Sequence, residues 1–215
     1  MPSKQQLSQT KAGFTIIEVV LVLAIAGLIF LMVFVALPAL QRSQRDTARR
    51  NDMSRVDTSL VQYMTNNQSN KDGQLPKAGV YDGTNFTSCN TSACDFVRQY
   101  MNSGSGNVTT NEFKDPDGSD YKVVITENIY NPPAGGVSTT SISGIGSLES
   151  KDGKYTIKES VTAGDKTSNA FDAHVVYIIP GSTCDGPAAT KATSENHFSV
   201  LYRLEGAGVY CIDDQ

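Results

Sequence analysis

The sequence predicts an α+β protein in which a long N-terminal α-helix, apolar in its first half and amphipathic in its second, packs on a C-terminal antiparallel β-sheet. Three observations carry this. From Phe14 to Leu40, 23 of 27 residues are hydrophobic, in a chain of 215 residues that is 39% hydrophobic as a whole. Beyond it, Met53, Val56, Leu60 and Met64 recur at helical spacing. The last hundred residues then break into short β-branched and aromatic runs separated by Gly, Pro, Asn and Asp. A net charge of -4 argues against a nucleic-acid coat protein, and four Cys, two His and no Trp leave little material for a metal enzyme. An even Cys count fits an oxidising compartment.

Residues 1–13 are polar, carry Lys4 and Lys11 and contain no acid, so they read as a leader. Val19 to Leu37 is then an uninterrupted apolar run broken only by Gly27, long enough for a helix to cross a hydrocarbon core of about 30 Å. A cleaved secretory signal has a shorter apolar core followed by an A-x-A-like site, and Ala36-Leu37-Pro38-Ala39-Leu40 offers none. Residues 14–40 are therefore expected to be a transmembrane helix. Glu18 is the exception in this run: an acid near mid-bilayer costs on the order of 3 kcal/mol, whereas one at the headgroup boundary costs little.

Residues 41–66 continue the helix with one narrow apolar face. Asp46 stands four residues from both Arg42 and Arg50, a spacing that supports weak surface pairs. The run Arg42, Arg45, Arg49 and Arg50 reads first as a solvated face, and secondly as a set of cations for acids of adjacent subunits or for DNA phosphates; Asp46, Asp52 and Asp57 weaken the DNA reading. Asn66 to Gly73 holds turn formers that end the helix, and residues 67–215 form the head. A short helix is expected at Cys94 to Met101. Strands are expected at Tyr121–Glu127, Lys154–Val161, His174–Ile179, Phe198–Leu204 and Val209–Ile212. In the fourth, apolar Phe198, Val200, Tyr202 and Leu204 alternate with Ser199, Leu201 and Arg203, a half-buried pattern. Asn131 to Ser150, rich in Gly, Pro, Ser and Thr, is expected to be a mobile loop.

Four cysteines allow three connectivities, of which proximity favours Cys89 with Cys94 and Cys184 with Cys211. The latter would add roughly 3 to 4 kcal/mol on a chain-entropy account. Zinc would need closer Cys/His pairs. Asp115-Pro116-Asp117-Gly118-Ser119-Asp120-Tyr121 reads as a turn before a strand; a calcium site on Asp115, Asp117 and Asp120 is the weaker alternative, since Thr126 stands where an EF-hand places its bidentate Glu. No phosphate-binding Gly-rich loop and no Gly-x-Ser-x-Gly occurs, so neither enzymatic activity nor a cofactor is expected.

Gly13-Phe14-Thr15-Ile16-Ile17-Glu18 followed by a long apolar helix resembles the class III signal of type IV prepilins. The likeness extends to Leu40, where Ala36-Leu37-Pro38-Ala39 is similar to the family's Ala-Leu-Pro-Ala-Tyr, and covers about the first quarter of the chain. It implies the pilin fold, peptidase cleavage after Gly13, N-methylation of Phe14, and a role for Glu18 in setting register by neutralising the new amine of a neighbouring subunit. Gly27 and Pro38 become the expected helix breaks, with Pro38 about three residues later than in the commonest pilins. Cys184 and Cys211 resemble the pair that bounds the C-terminal loop of many pilins. The implied partners are other pilin subunits, a prepilin peptidase, a platform membrane protein and an assembly ATPase; the implied location is the cytoplasmic membrane and then the bacterial surface, with adhesion, twitching motility or DNA uptake as the activity. The basic residues after the apolar run would place the head in the cytoplasm, whereas the resemblance and the head's Cys, Asn, Thr and Ser content place it outside. The Asp115–Tyr121 turn resembles the Asp-Pro-x-Gly-x-x-Tyr turn of the major pseudopilins of type II secretion, which makes a pseudopilin of a secretion or competence machine the alternative.

Overall fold

A computed structural model describes residues 13–68, 75–81, 91–102, 113–132, 148–157, 174–206 and 208–215. Its elements are α1 (Ile16–Asn66), β1 (Gly79–Tyr81), α2 (Ser92–Phe96) running into a π-helical turn (Val97–Met101), β2 (Lys122–Ile125), β3 (Leu148–Lys151), β4 (Lys154–Ile157), β5 (Val175–Pro180), β6 (Ser182–Asp185), β7 (Ala188–Lys191), β8 (Phe198–Leu204) and β9 (Gly208–Asp213). Two compact units divide between Gln41 and Arg42.

In the first unit, the described residues are helical from Ile16 onward. Nearly every large apolar side chain from Phe14 to Leu40 is exposed, so this stretch has no core of its own. The helix is long and apolar enough to cross a membrane. In the single chain it runs continuously through Gly27 and Pro38, the two positions expected to be its weak points in a filament. A single Pro removes one backbone donor, and a single Gly costs about 1 kcal/mol relative to Ala; flanking Leu, Met, Ala and Phe carry the helix across both.

The second unit is layered. Met53, Val56 and Leu60, spaced three and four residues apart, are fully buried on one face of α1. They pack with Val123, Ile125, Val176, Ile178, Val200 and Tyr202, alternate residues of a five-stranded sheet ordered β1-β2-β5-β8-β9. The intervening residues Val124, Tyr177, Ile179 and Leu201 form a second core with Leu148, Ile157 and Ala189, which belong to a four-stranded sheet ordered β3-β4-β7-β6. The main sheet is thus covered on both faces. Its central strand β5 is accordingly a continuous apolar run, buried at all six positions.

This second sheet corrects two expectations. Strand β8 is not half-buried: Ser199 and Leu201 are as enclosed as Phe198 and Val200, and only Arg203 reaches the surface. Ser199 is satisfied by a hydroxyl contact with Ser182. Leu148 to Ser150, expected within a loop, begin the hairpin β3–β4; the rest of that loop, residues 133–147, lies outside the described residues. The main sheet also contains one parallel pair, β2 with β5, so it is not purely antiparallel. The chain passes from one sheet to the other at Gly181 (φ +73°), where an added Cβ would run into Asn128 and the Tyr130 backbone. The predicted strand Phe198–Leu204 coincides with β8, and the other four overlap β2, β4, β5 and β9.

Candidate functional site

At the N-terminus of α1, Gly13, Phe14 and Thr15 precede the first helical turn, and Phe14 is 85% exposed. Glu18 donates its backbone N–H to the Thr15 carbonyl at 3.1 Å and lies 3.4 Å from Thr15 Oγ1. Thr15 is therefore the N-cap and Glu18 the third helical residue, the T-x-x-E spacing of a capping box. This spacing was legible in the sequence, and it gives Glu18 a local role at the positive end of the helix dipole besides the intermolecular one that the resemblance implies.

The second constellation joins the amphipathic half of α1 to the head. Arg45 and Arg49 lie one turn apart on a face turned to the β8–β9 turn. Arg45 clasps Glu205 through Nε and Nη2 at 2.8 and 2.7 Å. Arg49, almost fully buried, clasps Asp115 through Nε and Nη2 at 2.7 and 2.8 Å. Asp46 does not pair with Arg42 or Arg50. It is buried and accepts the backbone N–H groups of Glu205 and Gly206 at 2.9 and 3.0 Å, with Arg49 Nη1 at 3.2 Å. Two otherwise unsatisfied turn donors outcompete a solvent-exposed ion pair.

Asp115 is the hub. Besides Arg49 it accepts the Tyr202 hydroxyl at 2.9 Å and the Asp117 N–H at 3.1 Å. Its position follows from a tight turn: Asp115 N–H donates to the Ser119 carbonyl and Gly118 N–H to the Asp115 carbonyl, with Gly118 at φ +92°. Burial works to raise the Asp115 pKa, but the donors around it prevail and hold the carboxyl well below the usual range. Among these, Arg49 is decisive, because His174 Nδ1 lies 3.7 Å away, too far for a hydrogen bond. The Arg45 fork likewise holds the Glu205 carboxyl below its ordinary range, and burial pushes the Tyr202 and Tyr121 hydroxyls up.

Ligand atoms of Asp115, Asp117 and His174 come within 4.8 Å of one another. Asp120, the third member of the calcium candidate, instead lies 3.4 Å from Lys114 Nζ. The Asp115 oxygens already accept four donors, including a guanidinium, so this carboxylate is a poor ligand for a dication. The adjoining cleft, about 440 Å³, is lined by Arg45, Arg49 and Arg203 against Asp117 and Glu205, with His174 and Leu204. Its charges largely offset one another. The structure thus takes Arg45 and Arg49 out of the basic face and spends them inside the chain; Arg42 stays 63% exposed, and Arg50 lies over the Tyr210 ring at 5.7 Å.

Cys184 and Cys211 are bonded, joining β6 of the small sheet to β9 of the main one. Cys94 is buried and disulfide-bonded; Cys89 lies outside the described residues. Near this end of the head, Asp213 accepts Thr183 Oγ1 at 2.7 Å and Cys184 N–H at 2.6 Å, and Asp214 faces His197 at 3.1 Å. Asp57 Oδ1 is buried with no hydrogen-bond partner among the described residues. Burial first, and then the charges of Asp214 and Asp213, push its pKa up. A carboxyl with a raised folded pKa is least costly below its unfolded pKa and withholds stability as pH rises through the folded one. Asp57→Asn should therefore raise the unfolding midpoint at pH 7 and lose that advantage as pH falls through the carboxyl range, checked by paired melts at neutral and acid pH.

Compared with known protein families, curated proteins and solved structures, the chain yields no match.

Proposed function

We propose that this chain is a structural subunit of a type IV pilus, made as a membrane-inserted precursor, trimmed after Gly13, methylated at Phe14 and polymerised through its N-terminal helix. The observation that carries the reading is the sequence Gly13-Phe14-Thr15-Ile16-Ile17-Glu18 at the mouth of a helix whose apolar side chains are exposed all round. Such a helix needs apolar surroundings, first lipid and then the helices of other subunits. The head, closed by its own two cores, forms the outer surface of the fibre and sets whether it serves adhesion, twitching motility or DNA uptake. The protein acts by assembly rather than catalysis. A prepilin peptidase, a platform membrane protein and an assembly ATPase supply processing and work.

The test is a Gly13→Val chain in cells with a prepilin peptidase. The parent chain should lose residues 1–13, and the variant should accumulate at full length in the membrane, because a β-branched side chain blocks close approach at the scissile peptide. Equal processing of both, or of neither, removes the reading. The Asp115–Tyr121 turn favours a second one, a pseudopilin of a secretion or competence machine: processing would be the same, with the processed chain kept in the envelope.

A further inference from the structure

We propose that Arg42 binds the phosphate of an anionic lipid headgroup on the leaflet facing the head. The inference rests on the membrane-resident precursor proposed above. From Glu18 to Leu40 the helix rises about 33 Å at 1.5 Å per residue, close to the roughly 30 Å of a hydrocarbon core, so both ends of this stretch meet a headgroup layer. The first charged residue after Leu40 is Arg42.

Within its own unit Arg42 is weakly held. Its Nε lies 3.7 Å from Glu205 Oε1, beyond hydrogen-bond reach, while Arg45 contacts the same oxygen at 2.7 Å and Arg49 reaches Oε2 at 3.3 Å. Glu205 is thus engaged by two better-placed guanidinium groups, and the Arg42 side chain remains 63% exposed. A planar guanidinium fork next to a headgroup layer matches phosphate geometry. A long polyanion fits less well, because Arg49 is buried and Asp46, Asp52 and Asp57 interrupt the basic face. Each arginine near an anionic surface contributes roughly 1 kcal/mol, which is about a fivefold preference.

The full chain would be reconstituted in vesicles of phosphatidylcholine with one tenth phosphatidylglycerol, and the selectivity of its lipid shell read from spin-labelled forms of each. Phosphatidylglycerol should be favoured several-fold. Arg42→Gln should cut this preference by about fivefold, and Glu205→Gln, which releases Arg45 from its ion pair, should increase it. Equal selectivity in the parent and Arg42→Gln chains would overturn the proposal. So would loss of selectivity in low-millimolar inorganic phosphate, which would mark a site for soluble phosphate. A chain that fails to float with the vesicles sinks the membrane-resident reading and this inference together, whereas one that floats without headgroup preference sinks the inference alone.

Discussion

Replacing Arg49 by Met should destabilise the head by about 3–5 kcal/mol, the range for breaking a buried ion pair from one side. The cause is Asp115, whose side chain is fully enclosed and whose two oxygens both accept from Arg49. Methionine keeps most of the packing volume but leaves an anion without its counter-charge. The pH dependence should weaken as well. In the parent, the depressed Asp115 pKa gives stability that is present above the unfolded pKa and lost as pH falls through the folded one. In Arg49→Met the carboxyl loses its guanidinium donors and its folded pKa rises, so the deficit relative to the parent shrinks on acidification. Arg49→Met with Asp115→Asn should recover most of the loss, since a neutral amide still accepts the Tyr202 hydroxyl. Near-UV circular dichroism of the tyrosines, which cluster at this site through Phe113, Tyr121 and Tyr202, reports the head without interference from the apolar helix. A loss below 1 kcal/mol for Arg49→Met would show that the pair does not hold the helix to the head.

Glu18→Ala should leave processing at Gly13 intact and reduce filament yield at least a hundredfold. Cleavage would create an amine at Phe14, and burying it unpaired among packed helices costs several kcal/mol, where about 1.4 kcal/mol is already tenfold. The capping-box spacing offers a rival explanation, because Thr15 Oγ1 faces the Glu18 N–H at the start of the helix, a Glu at this spacing reaches back to the N-cap in a capping box, and a cap is worth about 1 kcal/mol. Thr15→Ala separates the two. If capping is the whole role, Thr15→Ala and Glu18→Ala should impair assembly alike; if charge neutralisation dominates, Thr15→Ala should assemble nearly normally while Glu18→Gln fails. Filament yield after shearing, with total subunit measured in the same cells, decides between them.

How much of this was legible in the sequence depends on range. The long helix was, because its signal is local: an apolar run followed by Met53, Val56 and Leu60 at helical spacing. Strand β8 was located to the residue by its alternation, yet its burial was misjudged, because the cover on its far face comes from Leu148, Ile157 and Ala189, contributed by other strands. Strands β1, β6 and β7 are three or four residues long and contain Gly, Ser, Asp, Ala and Lys, which carry little strand preference. They are fixed by their neighbours. The Arg49–Asp115 pair spans 66 positions and has no periodic signal at all; a hint lay in an arginine on the same helical face as Met53 and Val56, where a solvated cation would not be expected. The pairing of Cys184 with Cys211 was legible from separation, and the geometry agrees with it.

The most direct measurement is the intact mass of this chain in material sheared from the cell surface, read beside electron micrographs of the same fraction. The account predicts fibres whose subunit begins at Phe14 and carries one added methyl group. A chain that still begins at Met1, or surface fibres that do not contain it, would contradict the account.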